Sequence, residues 1–452
     1  MVKKQIINFR HRRLDNDKIL LTNDCADNII LNEKEFEQIK NEKLDKNLSK
    51  KLDDKGFLID KKDLTNHVMK YRGKNSFLFN GTSLHIVVPT LRCNLTCIYC
   101  HASKRNATDK GYDMNKNTAK KTVDFIFQSP SNSITIEFQG GEPLLNFEII
   151  KYIIDYAKEK NKKIKKDLKF SLVTNLTLMT DERMKYLISE DIDICTSLDG
   201  PEFLHNKNRP QNSYQLVSRW IKKINSEYKK NSSNKIVNAL LTITKDSLKY
   251  HKEIIDEYVS LEIPRIHLRF LNNLGDARSE WRQISYTSDE FMEFWLKSIE
   301  YMNKINKKAG KIIVWERMLD VINTKVTKGY DPNYLDLRTP CGAVIGQLVY
   351  DYDGKIYSCD EGRMIGEDIF MVGNVSKDKY KEVVTSKHAC SLIMASTNDV
   401  FECDVCAYKP YCGLCPVCNY AEQGNIIAKI PETNRCKIFK AQFDYYFLNR
   451  NI

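Results

Sequence analysis

The stretch RCNLTCIYCHASK, Arg92 to Lys104, sets Cys93, Cys97 and Cys100 in a C-x3-C-x2-C run just after an apolar, strand-forming segment. Three thiols without a fourth nearby make an odd donor set. Structural zinc takes four closed protein ligands, whereas a four-iron cubane is held by one thiolate per iron. Three cysteines would hold three irons and leave the fourth open for a small molecule. His101 follows Cys100 directly, but adjacent side chains point poorly at a common metal, and a histidine in such a loop is expected in solvent.

Outward from this run, six β-prone segments alternate with amphipathic helical patterns: SLHIVV (83–88), SITIEF (133–138), LKFSLVT (168–174), IDICTS (192–197), IVNALLTI (236–243) and RIHLRF (265–270). Serial β/α units predict an α/β fold with a parallel sheet and helical crossovers. The sheet is either doubly wound or curled into a partial (β/α)6 barrel. In a barrel, function gathers at the C-terminal ends of the strands. The cysteine run, QGGEP (139–143) and SLDGP (197–201) all fall there. Gly140 and Gly141 remove side chains so that backbone groups can approach a ligand, and Glu142 can accept hydrogen bonds from a ligand amino group. Taken alone, the same residues also read as a simple strand-to-helix turn.

The run of Cys93, Cys97 and Cys100, with Tyr99 before the last cysteine, resembles the radical S-adenosylmethionine (SAM) motif. The resemblance implies a [4Fe-4S] cluster whose open iron is chelated by the methionine part of S-adenosyl-L-methionine. It also implies cleavage to methionine and a 5'-deoxyadenosyl radical that removes hydrogen from an unactivated carbon. Gln139, Gly140, Gly141, Glu142 and Pro143 match the family's glycine-rich cofactor motif. Ser197 and Asp199 match its segment near the ribose and carboxylate, and Asn175, in VTNLTLM (173–179), matches the segment after the third strand. Arg209, in HNKNRP, is either a contact to the cofactor carboxylate or a surface side chain.

A second cysteine field runs from Cys341 through Cys359, Cys403, Cys406, Cys412, Cys415 and Cys418 to Cys436. It resembles the SPASM extension, which holds two auxiliary [4Fe-4S] clusters. The resemblance implies one cluster on Cys403, Cys406, Cys412 and Cys436, and another on Cys341, Cys359 and Cys415 with Cys418 as a fourth ligand. Two residues rather than the family's usual three separate Cys412 from Cys415, which leaves the roles of Cys415 and Cys418 open. A zinc ribbon is the rival for the two C-x2-C pairs and leaves Cys341 and Cys359 unexplained. Asp360, after Cys359, resembles the general base of sulfatase-maturing members, and reads equally as a turn residue. GQLVYDYDGKIYSCD predicts a hairpin turning at Asp353-Gly354. Cys25, Cys195 and Cys390 stand alone and read as buried or incidental.

The 452 residues, 42% hydrophobic, suggest two or three domains. Residues 1–82 read as a small α+β domain: short strands, then helices, a pattern that resembles the winged-helix elements holding leader peptides, or else a structural cap. Residues 83–325 form the barrel, with a helical bridge over 275–330 that includes SDEFMEFWLKSIEYMNKIN, and residues 326–452 form the cysteine-rich domain. Fourteen cysteines suit a reducing compartment, and with no apolar membrane span or secretory signal the cytoplasm is expected. The net charge of +12 lies largely in Lys-Asn-rich stretches such as 158–167 and 221–235, read as solvated helix faces rather than a nucleic-acid surface.

The overall layout, including FRHRRLDNDKILLTNDCAD and CAYKPYCGLCPVCNYAEQGN, resembles the His-Xaa-Ser system radical SAM maturases. That implies a small ribosomally made precursor peptide as substrate, a reductant such as flavodoxin or ferredoxin, and room for a second radical SAM partner protein. The alternatives are a formylglycine-forming maturase of the anaerobic sulfatase type, a radical enzyme acting on RNA, and a non-catalytic metal-binding module.

Overall fold

The computed structural model describes residues 4–60, 63–210 and 212–450. The barrel strands form where apolar runs were expected: Leu84–Thr90, Ser133–Gly140, Asp167–Thr174, Asp193–Ser197, Asn238–Thr242 and Leu268–Arg269. Each pairs in parallel with the next in sequence. The order never reverses, so the crossovers wind one way and the sheet is the partial-barrel alternative, not the doubly wound one. The crossover helix Phe147–Ile164 shows why: Ile149, Ile150, Ile153, Ile154 and Ala157 make one buried stripe, and the Lys-rich face of the 158–167 stretch is turned outward.

The structure departs from the simple barrel in two places. RIHLRF divides at His267: Arg265–Ile266 peels away to pair with Trp315–Glu316, and only Leu268–Arg269 continues the sheet. At the opposite edge, Gln347–Tyr350 pairs in parallel with Leu84–Thr90 and leads through the expected hairpin into Lys355–Tyr357 and then Met371–Asn374. Among the described residues the sheet therefore has nine strands, and one hydrophobic core runs unbroken from the barrel into the cysteine-rich segment. The hairpin turns at Gly354, whose φ of +87° needs a residue without a Cβ. His85 on the first strand, fully buried, shares a 2.8 Å hydrogen bond with the Tyr350 hydroxyl across the added edge.

The N-terminal segment has a core of its own, built on Ile19, Leu21, Ile29, Leu31, Phe36, Ile39, Leu48, Leu52 and Phe57. A three-stranded antiparallel meander, Arg10–Arg13, Ile19–Thr22 and Asn28–Leu31, precedes the helices Glu33–Lys40, Lys46–Asp54 and Asp63–Lys74. Asn32 caps the first of these through a reciprocal box with Glu35. The bridge is helical over Ala277–Ile284, Ser288–Ala309 and Arg317–Lys328. No helix among the described residues is long and apolar enough to cross a membrane.

Candidate active site

The cysteine run leaves the first strand as a loop pressed against the glycine motif. A Cβ on Gly141 would lie 2.1 Å from the Arg92 carbonyl oxygen and 2.5 Å from that of Leu91; on Gly140 it would lie 2.4 Å from the Thr90 carbonyl. The Glu142 amide donates to the Arg92 carbonyl at 2.7 Å. The two glycines therefore admit the backbone of the cysteine loop itself. Glu142 is tied to the strand ends. It is fully buried, and its carboxylate accepts from the Leu144 amide (3.0 Å), the Thr174 hydroxyl (2.7 Å) and the Asn175 amide (2.7 Å). It ties the second and third strand ends together. Pro143 is buried at the start of the following turn, and Gln139 donates to Glu137 at 2.6 Å.

Asn175 lies beside the run: its amide donates to Asn94 at 3.0 Å and lies 4.0 Å from the Cys93 sulfur. Ser197 ends the fourth strand and is half-buried. Arg209 is not a surface side chain. Its Nε donates to the Tyr99 hydroxyl at 2.7 Å and stands 3.3 Å from the Asp199 carboxylate, and Tyr99 donates to both Asp199 oxygens at 2.7 Å. Asp199 is wholly buried. Both charged residues thus reach the cysteine loop through Tyr99. His101, expected in solvent, has a buried Nε2 without a hydrogen-bond partner, and burial pushes its pKa down to about 3.

Burial dominates the thiols, pushing Cys93 up to about 12 and Cys100 to about 11, and raising Cys97 against the pull of Arg209. Thiols raised in concert form a donor set that a cationic centre would neutralise. In the second field, Cys403, Cys406, Cys412 and Cys436 line one cavity and act on one another electrostatically. Cys415, which also lines that cavity, acts likewise on Cys341 and Cys359. Among the described residues, no three His, Cys, Asp or Glu side chains converge on a point that could hold a single ion. Four-iron cubanes take one thiolate per iron, and the free thiols of the two fields fit that donor demand.

The Cys418 sulfur receives a 3.1 Å hydrogen bond from Arg435 and lies 3.7 Å from Asn272, while the Cys418 amide donates to the Cys415 sulfur at 3.4 Å. Asp360 is paired with Arg363 (Nη2 at 3.1 Å, Nε at 3.2 Å), and Arg363 also donates to the Ala102 carbonyl at 3.2 Å. Arg363 thereby links the two cysteine fields. Sequence reasoning missed it and Arg435, although one follows Asp360 by three residues and the other precedes Cys436. It also missed the half-buried pair of Arg269 and Glu361, 3.3 Å apart.

Residues 87–257 match the model of the radical SAM superfamily. Cysteine-type anaerobic sulfatase-maturating enzyme of Clostridium perfringens is 25% identical over 384 residues, covering 81% of this chain and 96% of that protein. Radical SAM cyclopropyl synthase TigE of Paramaledivibacter caminithermalis is 24% identical over 78% of this chain and 71% of its own. An uncharacterized Methanocaldococcus jannaschii protein is 36% identical over 125 residues, so the chain spans 41% of that relative's length. Among solved structures, anSMEcpe with bound AdoMet superposes with a TM-score of 0.67 at 20% identity over 81% of this chain and 97% of that one. Streptococcus suis SuiB bound to precursor peptide SuiA does so with 0.58 at 15% identity over 94% and 98%. The chain carries a radical SAM superfamily domain. It is an enzyme of radical chemistry that uses a [4Fe-4S] cluster and S-adenosylmethionine.

Proposed function

We propose that the enzyme modifies a ribosomally made precursor peptide, with Cys93, Cys97 and Cys100 holding the cluster that binds S-adenosylmethionine. In the same reading Cys403, Cys406, Cys412 and Cys436 hold one auxiliary cluster, and Cys341, Cys359 and Cys415 hold the other. The observation that carries the peptide reading is the reach of the likeness to SuiB, whose structure contains its precursor peptide: it spans 94% of this chain. The N-terminal domain, docked on the cysteine-rich segment, would hold the peptide's leader.

When bound, the cluster and cofactor supply a 5'-deoxyadenosyl radical that abstracts hydrogen from an unactivated carbon. The chain's own residues position and shield. Asn175 steadies the loop at Cys93, and Tyr99, Asp199 and Arg209 brace it from the far side. Asp360, oriented by Arg363, would take a proton from the substrate. A reductant of the flavodoxin or ferredoxin kind would deliver electrons, and a His-Xaa-Ser type precursor would be the substrate class.

The test is the intact mass of a small peptide encoded beside this gene, after anaerobic incubation with enzyme, reductant and S-adenosylmethionine in deuterium oxide. Loss of a hydrogen pair is the expected sign of crosslinking or desaturation, and deuterium gain on carbon that of epimerisation. An unchanged mass alongside cofactor turnover would reject the peptide as substrate.

A further inference from the structure

At the end of the barrel opposite the cysteine run, a cleft of about 600 Å³ lies between three segments. They are the turn Ser76–Phe79 that leaves the N-terminal domain, the starts of the first two barrel strands at Ser83 and Ser133, and the 330–346 stretch that leads into Gln347–Tyr350. The strand Leu84–Thr90, 7 residues long, separates this cleft from the cysteine loop by about 20 Å at ~3.3 Å per residue. It is a second site, not an arm of the first.

One wall holds Arg338, whose side chain is 2% exposed. Its guanidinium is fixed in place: the carbon lies 3.9 Å from the centre of the Phe77 ring, and Nη1 donates to Asn333 at 3.1 Å. Nε is buried and has no hydrogen-bond partner. Asp331 stands 3.8 Å from it, beyond hydrogen-bond reach, and shares its charge with Lys325 at 3.6 Å. Lys74 lines the same cleft, with Nζ on the Asp24 carbonyl at 2.8 Å. Among the described residues that line the cleft and the smaller pocket beside it, three cations therefore meet one carboxylate. A guanidinium carries five donors, and a buried charged donor left unpaired is costlier than a neutral one. The site lacks an anion.

Size and rim say what carries that anion. Pockets of roughly 300–1,000 Å³ hold drug-sized ligands, so a lone oxyanion would leave most of this cleft empty. Phe79 and Tyr330, 77% and 49% exposed, offer ring faces on its lining. Ser83, Asn80 and Ser133 add polar groups between them. Such a lining suits a short chain in which a carboxylate stands next to apolar side chains.

We propose that this cleft binds an acidic segment of a peptide, with one carboxylate seated on Arg338 and its apolar neighbours laid on Phe79 and Tyr330. The ligand class rests on the peptide-substrate reading above, and the segment is held remote from the chemistry.

The test is calorimetric titration of the full-length, anaerobically reconstituted protein. The ligands are an acetylated, amidated hexapeptide alternating leucine and glutamate, its leucine-glutamine counterpart, glutarate and inorganic phosphate. Wild type is expected to bind the glutamate peptide about tenfold more tightly than the glutamine one, the scale of a charge-assisted hydrogen bond. Arg338→Met should erase that preference. Phe79→Ser, at an exposed position, should weaken both peptides severalfold and leave glutarate unaffected. A merely structural Arg338 would lower the melting temperature of its variant while wild type bound the two peptides equally. Equal affinities in wild type, or a preference that survives Arg338→Met, would overturn the proposal. If Arg338→Met does not fold, Lys74→Gln and Phe79→Ser decide: the first should narrow the preference, and no effect of either counts against the site. Glutarate or phosphate binding as tightly as the glutamate peptide would make the ligand a small anion and overturn the peptide assignment. The intact-mass experiment fails separately, because cofactor turnover without a modified peptide rejects the substrate while calorimetry still reads the cleft.

Discussion

Arg12 grips Asp444 with two parallel hydrogen bonds, Nε to Oδ1 and Nη2 to Oδ2, each 2.6 Å long. The contact joins the first meander strand to the last helix, across 432 residues of sequence. Tyr408 donates to the same carboxylate, and Arg10 holds Asp404 at 3.2 Å. Both partners lie on the Cys403–Cys412 segment, so the N-terminal domain is pinned directly over one cysteine set. Bidentate geometry strengthens such a pair, and its partial exposure weakens it. Arg12→Met should cost about 1 kcal/mol and speed proteolytic cleavage between the N-terminal domain and the barrel. An unchanged cleavage rate would show that the docking rests on other contacts, such as the Thr22 hydroxyl on the Ala407 carbonyl at 2.7 Å.

Gly141→Ala should destabilise the protein by about 1–3 kcal/mol and reduce iron incorporation, because its Cβ would meet the Arg92 carbonyl at 2.1 Å. Gly73→Ala is the matched control. It lies in the helix Asp63–Lys74 with no atom within 4 Å of the new methyl, and should gain ~0.5–1 kcal/mol from reduced chain entropy. Thermal unfolding and iron assay read both.

The two uncertain cysteines should separate by iron count. Cys415 acts on both Cys341 and Cys359, while Cys418 neighbours Cys415 itself and is engaged by Arg435 and Asn272. Cys415→Ser should therefore lose about four irons per chain, one cubane's worth, and Cys418→Ser should keep them. Equal loss in both variants would make Cys418 a ligand.

Asp360→Asn should depress peptide modification by roughly 10²–10⁴-fold, the usual range for a general base, and leave formation of 5'-deoxyadenosine intact. Chromatographic assay of both products distinguishes this from a folding defect, in which both would fall.

Stability should carry a pH signature from Glu316, a fully buried carboxyl that burial raises from 4.5 to about 7. The folded state then holds a proton that the unfolded state releases, so this contribution is present below about pH 4.5 and lost as pH rises towards 7. The loss is on the order of 3 kcal/mol at 1.36 kcal/mol per unit. Glu316→Gln, which can still accept the Leu319 amide hydrogen bond seen at 2.8 Å, should flatten the unfolding free energy over that window. Parallel curves for the two proteins would contradict the shift.

Much of this architecture was legible in local pattern. Apolar alternation and helical stripes report burial of one face, and that sufficed for the first five barrel strands and the Ser288–Ala309 helix, but not for the split of the sixth at His267. Cysteine spacing marked both thiol-rich fields because thiols clustered at such spacings are a metal-cluster donor pattern. The direction a polar side chain takes was not legible. Glu142 takes Thr174 as a partner, and Asp199 and Arg209 meet at Tyr99, pairings that no local pattern announces.

Sequence by itself determined where strands, helices and thiols lie along the chain, because these depend on periodicity and residue type within a few positions. Only the tertiary structure decided that Gln347–Tyr350 extends the barrel sheet, that Arg363 reaches across to the Ala102 carbonyl, and that Arg209 meets Tyr99 and Asp199. Those relations join residues far apart in sequence. They are set by which buried donors and acceptors find partners once the core has closed, and no local pattern encodes that.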